Sequence, residues 1–549
     1  MDSHQPHTPD QPEIVQRQLG DTRITPSAAR ILVALFLASL LCVPLLQITE
    51  APLWNGMDWR PPPFQDTWLQ HLLAADRALL RALDQYEQRL ARQSMAGSLV
   101  RPPLQYLLTR WLGAGNEQVY PGHPGWLFYR PDIDYLSGPG FLADAHLALR
   151  RAAAPVWEAP PQPDPRLAIL DVKRQLAARN IELILVPTPL KPSVHPEQFA
   201  ASAPNQHVVQ NASYTQFVAA MRRQGVLVFD ALGPSLAAAK IQGPQYLRTD
   251  THWRPEAVQR AAQELAAFID AHIDLPHTRV AGYTRRDTTA SQIGDIIPML
   301  DLPPDQGLYT AETVPLAQIR TPTGGLWRAD PQADILLLGD SFSNIYSQES
   351  MGWGQAAGFS EHLSWALQRP LDRIARNADG AHATRQILAG ELARGRDRLA
   401  GKRLVIWQFA DRELAAGNWK LIEWKMGDPS GRRFFTPPPG QTVLVRGTIR
   451  AVAPVPAPNQ VPYRDHIVAV HLVDLENGDG TAEEALVYMW GMRDRRWQAA
   501  AHYRNGQQIA LRLRPWDEVV DQYGGLNRGD LSEDELLFAE PCWGEEVED

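Results

Sequence analysis

Three apolar runs constrain the fold of this chain more than any other feature of its sequence. They are Ile181–Pro187 (IELILVP), Ile335–Leu338 (ILLL) and Leu404–Phe409 (LVIWQF). Runs without regular polar alternation are typical of strands buried on both faces in a parallel sheet. Segments with helical periodicity separate them, including Ala257–Ile269 after Pro255. The pattern predicts a three-layer α/β domain over about residues 115–425, with a mostly parallel sheet. In such a sheet, ligands bind beyond the carboxyl ends of the strands.

The pattern changes after the proline cluster at residues 437–439. The runs that follow are shorter, partly alternating and free of long helices: Val443–Ile449, Ile467–Leu475, Ala485–Trp490 and Ile509–Leu513. They predict a small antiparallel β barrel or sandwich over residues 436–549. This domain is a candidate for carbohydrate binding through stacked tryptophans, although aromatic residues of small β domains more often belong to the core. The tryptophans concerned are Trp490, Trp497, Trp516 and Trp543.

An apolar run near the N-terminus predicts where the protein resides. Residues 1–30 are polar, and Ile31–Leu46 is an uninterrupted apolar run, a little shorter than the roughly 20 residues that span a bilayer. A cleaved signal peptide and a buried core helix are alternatives. The long polar lead and the lack of a convincing cleavage site favour an uncleaved signal-anchor over 31–48. A linker with an amphipathic helix at 67–92 is expected within residues 49–114.

Charge asymmetry around this run predicts its orientation. Arg17, Arg23 and Arg30 precede the run, and acidic residues follow it. This distribution favours a single-pass protein of the inner membrane whose residues 1–30 form a cytoplasmic tail. The residues after about position 50 then lie in the periplasm of a bacterial cell.

Composition excludes several classes of function. The 53 Lys and Arg against 62 Asp and Glu give a net charge of −9, so no basic field is present to hold nucleic acid. Cys42 and Cys542 are the only cysteines, which excludes a disulfide framework and a cysteine-based metal site. No cluster of His and carboxylates has ligand spacing, so we expect neither a metal nor a cofactor.

The run Ile335–Leu338 leads into Gly339-Asp340-Ser341. A serine on a tight turn after a buried strand presents its hydroxyl to the crevice, and Gly339 permits the turn. Amides at the start of the next helix can face an oxyanion. These are the requirements of an acyl-transfer nucleophile. The alternative is that the Ser or Asp only caps a helix.

A second motif, Asp250-Thr251-His252-Trp253, supplies a candidate base. In an extended segment, side chains at i and i+2 point to the same side, so Asp250 can hold one ring nitrogen of His252. The other nitrogen is then available to a serine. A loop histidine beside a helix-capping aspartate is the alternative. Together with Ser341, the pair predicts a Ser-His-Asp triad.

Five segments carry a resemblance to a known family: Gly125–Tyr129, Val186–Pro189 with Lys191, Asp250–Trp253, Gly339–Ser343, and Val405–Trp407 leading to Arg412-Glu413. In these, the chain resembles the alginate O-acetyltransferases of the AlgJ/AlgX type, whose catalytic domain is similar to SGNH (GDSL-like) hydrolases. The Asp-x-His pair precedes the nucleophile here, whereas hydrolases of the wider superfamily have it afterwards.

The resemblance implies roles for individual residues. Ser341 is implied as nucleophile, His252 as general base and Asp250 as its orienter. Tyr346 and Arg412 are implied to line the acceptor site, although helix packing and an ordinary ion pair are the alternatives. Lys191 receives no role.

We therefore expect an O-acetyltransferase that acetylates an exported, alginate-like polysaccharide through an acyl-serine. The resemblance also implies a membrane-bound O-acyltransferase partner, because acetyl-CoA is cytoplasmic. Two alternatives remain open: a carbohydrate acetylesterase with the same triad, and a non-catalytic glycan-binding scaffold of an export complex.

Overall fold

The protein is described from a computed structural model. It describes residues 25–50, 68, 72–77, 79–80, 83, 95–155, 159–203, 207–276, 280–427, 434–458, 461, 463–476, 484–531, 536 and 539–547. The chain divides into two compact units, Met1–Arg101 and Pro102–Asp549.

The helices of eight or more residues in the described ranges are, in chain order, α1 (Pro26–Glu50), α2 (Met95–Leu112), α3 (Arg130–Ser137), α4 (Asp144–Ala152), α5 (Pro165–Ala177), α6 (Tyr214–Arg223), α7 (Leu232–Ala239), α8 (Pro255–His272), α9 (Phe359–Leu367) and α10 (Ala383–Ala393). Short helical turns lie at Lys191–Val194, Pro196–Phe199, Ile296–Met299, Ser341–Asn344, Glu413–Ala416 and Val520–Tyr523.

The segment predicted to be a membrane anchor is helical, because residues 31–48 lie within α1. The anchor itself is not shown: in the part of the chain that the structure describes, no helix meets the combined length and apolarity of a membrane span. Most of the predicted cytoplasmic tail (1–30) and most of the predicted amphipathic helix at 67–92 lie outside the described residues.

The strands of the second unit up to residue 410 are β1 (Val119–Pro121), β2 (Leu127–Tyr129), β3 (Glu182–Thr188), β4 (Leu227–Val228), β5 (Thr284–Gln292), β6 (Glu312–Arg320), β7 (Ile335–Gly339), β8 (Asp372–Ala375) and β9 (Leu404–Ala410). Five of them form a sheet of order β4-β3-β9-β7-β8, and every pairing in it is parallel. The three apolar runs of the sequence are its central strands β3, β9 and β7, which confirms the predicted parallel α/β sheet.

Helices cover both faces of this sheet. All five residues of β7 and all seven of β9 are buried, and successive side chains of a strand point to opposite faces. Helix α5 packs against β3, α6 against β4, and α10 against β7 and β8. The carboxyl ends of β3, β7 and β9 therefore meet at one edge, which carries the predicted nucleophile.

Two antiparallel hairpins flank the sheet and were not predicted. β1 pairs with β2, and β5 pairs with β6 over nine residues on each strand. The β5 sequence TRRDTTASQ is polar and largely exposed, so hydrophobic periodicity gives no signal there. The connection from β5 to β6 contributes Gly294 and Asp295, which pack against the Asp250–His252 segment.

The C-terminal part is a closed β barrel. Its strands are β10 (Val443–Val452), β11 (His466–Glu476), β12 (Glu484–Arg493), β13 (Arg496–Trp497), β14 (Gln508–Pro515), β15 (Asn527–Gly529) and β16 (Pro541–Glu546). The order β12-β16-β14-β10-β11 is closed by the pairing of β11 with β12. Of the two predicted forms, barrel and sandwich, the structure has the barrel. The expected all-antiparallel pairing is wrong at β12–β16 and at β11–β15, which are parallel.

Two of the four tryptophans proposed for glycan stacking are core residues. Trp543 has no exposed surface and Trp516 is 7% exposed. The Trp543 ring packs edge-to-face on Trp490 at 5.4 Å and lies 4.5 Å from Tyr523. A fully buried ring offers no face to a sugar, so Trp543 stabilises the barrel.

Candidate active site

The predicted nucleophile begins the helical turn that follows β7. Ser341 is the first residue of the turn Ser341–Asn344, and Asp340 is its N-cap, accepting a hydrogen bond from the Phe342 amide at 2.9 Å. The capping role left open in the sequence is therefore taken by Asp340. Ser341 itself is 9% exposed. Its hydroxyl is thus not required for capping.

Gly339 is the residue that allows this turn to close on the strand. A Cβ at this position would lie 2.4 Å from the Ser343 Oγ and 2.8 Å from the Ser343 Cβ. No side chain fits at such distances without moving the turn. The glycine of the motif is therefore explained by the close approach of residues 339 and 343.

Gln408, on β9, connects the turn Ser341–Asn344, here called the nucleophile turn, to the neighbouring strands through hydrogen bonds. Its Oε1 accepts hydrogen bonds from the Asp340 amide at 3.0 Å and from the Ser343 hydroxyl at 2.7 Å. Its Nε2 donates to Thr188 Oγ1 at 3.0 Å and to Asp340 Oδ1 at 2.9 Å. Sequence reasoning missed this residue; the signal was a lone polar side chain inside the apolar run LVIWQF.

The predicted base and its orienter form a buried hydrogen-bonded pair. His252 Nδ1 lies 2.7 Å from Asp250 Oδ1, and the His252 amide donates to the same oxygen at 3.1 Å. Burial favours the neutral imidazole, but the Asp250 carboxylate raises the pKa of His252 above its ordinary value. Burial opposes ionisation of Asp250 as well, and the bond from His252 nevertheless lowers its pKa. Asp250 is therefore ionised and bound to Nδ1 of His252, as expected for a carboxylate that orients a general base.

Asp295 is a second carboxylate at the same imidazole, and sequence reasoning missed it. Its Oδ2 lies 3.7 Å from His252 Nδ1 and accepts a hydrogen bond from Thr251 Oγ1 at 2.7 Å. Burial, and then repulsion by Asp250, raise the pKa of Asp295 to about 7. Asp295 lies in a long loop 45 residues from Asp250, and no local pattern indicates that the two are neighbours.

The Asp250 carboxylate is fixed by further donors. Its Oδ2 accepts from the Asp295 amide at 3.1 Å and from Trp353 Nε1 at 3.0 Å. A Cβ at Gly294 would lie 2.1 Å from the Thr249 carbonyl oxygen, so only glycine permits this close packing of the two backbones. Asp250 is therefore held on both oxygens and cannot turn away from His252.

Asp250, His252 and Asp295 also place ligand-type atoms within 4.8 Å of one another. The closest pair, Nδ1 of His252 and Oδ1 of Asp250, is a hydrogen bond of 2.7 Å. We interpret the cluster as a hydrogen-bond network that orients the imidazole.

Contacts between the two motifs bring the base next to the nucleophile turn. The His252 ring packs on the ring of Phe342 at 5.0 Å, and Trp253 Nε1 donates to the Phe342 carbonyl at 3.0 Å. His252 Nε2 is buried and has no hydrogen-bond partner among the described residues. The structure thus brings the segments that carry the three predicted residues together, but it shows no hydrogen bond between His252 Nε2 and Ser341.

Tyr346, which the resemblance implies to line the acceptor site, is a buried residue in this structure. It has no exposed surface, and its hydroxyl donates to the Trp253 carbonyl at 2.7 Å. Burial raises its pKa well above the usual range. In this structure Tyr346 ties the His252–Trp253 segment to the residues after Ser341, as the helix-packing alternative expects.

Arg412 lies beside the nucleophile turn with a buried partner. Its Nη1 donates to Asp132 Oδ1 at 3.0 Å, and its guanidinium lies 5.7 Å from the Tyr129 ring and 5.9 Å from the Phe342 ring. Burial works against its charge, but Asp132 raises the pKa of Arg412. The Arg412 side chain is 16% exposed, so this cation is fixed at the edge of the site and is not an ordinary surface pair.

Lys191, to which the sequence analysis assigned no role, is a buried residue. Its Nζ donates to the carbonyls of Leu127 at 2.6 Å and Arg248 at 3.2 Å. Burial lowers its pKa to about 8, although Asp295 and Asp250 oppose that change. Lys191 therefore holds together the two segments that carry Tyr129 and Asp250.

Comparison with known proteins yields consistent matches. The family model described as the SGNH hydrolase-like domain of acetyltransferase AlgX matches residues 119–411, more than half of the 549-residue chain. A probable alginate O-acetylase AlgJ of Pseudomonas putida is 26% identical over 313 residues, covering 55% of this chain and 72% of that protein. The probable alginate O-acetylase AlgJ of Azotobacter vinelandii is 29% identical over 261 residues, covering 46% and 63% respectively.

Two solved structures are similar at low identity. The O-acetyltransferase domain of Pseudomonas putida AlgJ has 23% identity and a TM-score of 0.41, covering 55% of this chain and 93% of that domain. Pseudomonas aeruginosa AlgX has 14% identity and a TM-score of 0.37, covering 78% of this chain and 90% of that chain.

Proposed function

This chain belongs to the family of the SGNH hydrolase-like domain of acetyltransferase AlgX, and on that premise we propose that it transfers acetyl groups to hydroxyl groups of an exported polysaccharide. The observation that carries the proposal is the unoccupied Nε2 of His252, whose ring packs against the residue after Ser341. An imidazole nitrogen without a partner, on a ring that packs beside a strand-end serine, supports a general base for acyl transfer.

In the first half-reaction, His252 Nε2 takes the proton of Ser341 Oγ as the oxygen attacks the acetyl carbonyl of the donor. An O–C bond forms to the acetyl group, the bond to the leaving group breaks, and His252 returns the proton to that leaving group. Asp250 stabilises the imidazolium formed meanwhile, since its carboxylate is ionised and 2.7 Å from Nδ1. The product is an acetyl-serine.

In the second half-reaction, the same His252 takes a proton from a sugar hydroxyl, whose oxygen attacks the acetyl-serine. The bond between acetyl and Ser341 breaks, and the proton passes to Ser341 Oγ. The amide of Ser341, at the start of its turn, is available to the oxyanion in both steps, while Asp340 takes up the amide of Phe342. The chemistry is then complete with the chain's own residues.

For the acceptor, we propose an anionic, alginate-like polysaccharide that contacts Arg412. This cation is partly exposed beside Phe342, and a guanidinium recognises carboxylate groups well. The names of the AlgJ relatives point to alginate as the acceptor of those proteins. Tyr346 contributes, in this proposal, by holding His252 and not by touching the sugar.

The location and the donor partner belong to the same proposal. An exported polysaccharide is acetylated outside the cytoplasm, so residues 31–48 would anchor the protein in the inner membrane with the catalytic domain in the periplasm. Because acetyl-CoA stays in the cytoplasm, a membrane-bound O-acyltransferase would deliver the acetyl groups.

Transfer and hydrolysis use the same triad and differ only in what resolves the acetyl-serine. The test supplies a soluble acetyl ester and alginate oligosaccharides to the purified protein. Sugar acetylation and acetate release are both measured, with Ser341→Ala as the control. Acetylated oligosaccharide that disappears with Ser341→Ala supports the transferase, whereas acetate alone supports an acetylesterase.

A non-catalytic scaffold is the remaining alternative. An experiment in cells distinguishes it from an acetyltransferase. The Ser341→Ala protein is expressed in place of the wild type, and polymer acetylation and polymer export are measured. Loss of acetylation with intact export supports catalysis at Ser341. Unchanged acetylation contradicts it.

A further inference from the structure

A segment of the barrel, Gln522–Asp530, reaches the nucleophile turn; we name it the brace segment. It is firmly held within the barrel, because its strand β15 pairs with β11 and the Tyr523 ring packs on Trp543 at 4.5 Å. The Arg528 guanidinium lies 4.2 Å from the Tyr488 ring. The brace segment lies C-terminal to residue 411, where the matched family domain ends. Its position is therefore set by the barrel and not by the catalytic sheet.

The brace segment binds the residues that follow Ser341. Asn344 closes the turn begun by Ser341, is buried, and donates from Nδ2 to the Gly525 carbonyl at 3.3 Å. Gln348, four residues on, donates from Nε2 to the Gln522 carbonyl at 2.6 Å. The side chains of Asn344 and Gln348 therefore both donate to backbone carbonyls of the brace segment.

The brace segment also binds the residues beside Gly339, on the other side of Ser341. The Arg376 amide donates to the Gly339 carbonyl at 3.0 Å, and Arg376 Nη1 donates to Asp530 Oδ2 at 2.5 Å. The next residue, Asn377, donates its amide to the Gly525 carbonyl at 3.0 Å and accepts from Asn344 Nδ2 at 2.9 Å. The chain before and after Ser341 is therefore tied to the same short segment.

The contact between the brace segment and the residues around Ser341 is close and includes charged groups. A Cβ at Gly525 would lie 2.4 Å from Gln348 Oε1 and 3.1 Å from Asn344 Nδ2. Burial opposes the charge of Asp530, but Arg376 and Arg528 lower its pKa below the usual range. Asp530 is therefore ionised and pairs with both arginines. A buried ion pair gives little net stability, so we interpret the contact between Arg376 and Asp530 as one that fixes geometry.

We propose that the brace segment is a positioning element of the acyl-transfer site, holding Ser341 in its reactive position through Asn344, Gln348 and Arg376. This inference rests on the proposed role of Ser341 as nucleophile. It gives the barrel a part in the chemistry that is independent of any glycan the barrel binds. Gln348, Arg376 and Asp530 are then positioning residues, because they act through the turn and touch no substrate.

The test measures the reactivity of Ser341 in the full-length protein. Wild type, Asp530→Asn, Gln348→Ala and the control Asp521→Asn are treated with a serine-directed sulfonyl fluoride, and the labelling rate at Ser341 is followed by mass spectrometry. Asp521 is exposed and lies next to the brace segment, so its variant removes the same charge without touching the turn. Hydrolysis of p-nitrophenyl acetate gives kcat and KM, and thermal unfolding gives Tm.

We expect Asp530→Asn and Gln348→Ala to lower the labelling rate and kcat about tenfold, with KM and the control unchanged. Equal labelling of wild type, Asp530→Asn and Gln348→Ala at a temperature below every Tm overturns the positioning role. A lower Tm with an unchanged labelling rate overturns it too, because that is the result of a purely structural contact. A wild type that is not labelled at Ser341 refutes the proposed function instead, so the two failures are distinguishable.

Discussion

The backbone amide of Asp295 donates to the Oδ2 of Asp250 at 3.1 Å, which places a second, partly buried carboxylate beside the pair formed by Asp250 and His252. Two carboxylates at one imidazole both favour its protonated form. Asp250 acts through a direct hydrogen bond, and Asp295 acts through space and through Thr251. The basicity of His252 is therefore set by two carboxylates from different parts of the chain, Asp250 and Asp295, which gives testable pH dependences.

The first prediction concerns Asp250→Asn. Removing the carboxylate lowers the pKa of His252, because the hydrogen bond that favours the imidazolium is lost. The base is active when neutral, so the acid limb of kcat/KM moves to lower pH. We expect kcat to fall by roughly 10² to 10⁴, as for loss of the orienting carboxylate in other triads. A pH series of p-nitrophenyl acetate hydrolysis measures both; an unchanged acid limb contradicts the assigned pair.

The second prediction concerns Asp295→Asn. Asp295 raises the pKa of His252 without bonding to its ring, but its own pKa of about 7 leaves it partly protonated where His252 titrates. The variant therefore moves the acid limb in the same direction as Asp250→Asn but by less. Because the asparagine keeps the size of the side chain, kcat at high pH changes by less than about tenfold. Asp305→Asn, an exposed aspartate of the same loop, is the matched control. A profile identical to wild type shows that Asp295 does not tune the base.

The third prediction concerns Gln408→Leu. The variant leaves the Asp340 amide and the Ser343 hydroxyl without their buried acceptor, and each unsatisfied group costs about 1–3 kcal/mol. We expect a lower free energy of unfolding in denaturant titration and slower sulfonylation of Ser341. Gln408→Glu keeps the acceptor oxygens but loses the donor to Asp340, so its labelling rate should also fall. Wild-type reactivity in both variants contradicts a locking role.

The fourth prediction concerns Arg412→Met. Removing the cation leaves Asp132 buried without its charge partner, which costs about 3–5 kcal/mol in comparable pairs. The double variant Arg412→Met with Asp132→Asn should recover most of that stability. If Arg412 binds the acceptor, the double variant still shows a raised KM for alginate oligosaccharide and an unchanged rate of acetate release without acceptor. An unchanged acceptor KM refutes the binding role.

The fifth prediction separates the two roles considered for Tyr346. The Tyr346 hydroxyl donates to the Trp253 carbonyl, so Tyr346→Phe loses one buried hydrogen bond that contributes about 1 kcal/mol. We expect a small decrease in kcat through His252 and no change in acceptor KM. A selective increase in acceptor KM would restore the role that the family resemblance implied.

Hydrophobic patterning predicted the catalytic sheet well for a physical reason. The apolar runs of β3, β7 and β9 are buried on both faces, and only a parallel sheet covered by helices gives such strands a stable environment. It failed at β5, whose exposed polar residues carry no periodic signal. The barrel was predicted as a class, but its parallel β12–β16 pairing depends on contacts between strands distant in sequence.

By itself the sequence predicted the candidate side chains for the chemistry: a serine at a strand end, and an aspartate and a histidine two residues apart. Local geometry suffices for these, because i and i+2 spacing and a glycine turn act within a few residues. Tertiary structure alone decided the surroundings of that chemistry. Asp295 reaches Asp250, Gln408 reaches Asp340, and Gly525 reaches Asn344 across 45, 68 and 181 residues. Such contacts depend on loop paths and strand register, which no local propensity encodes.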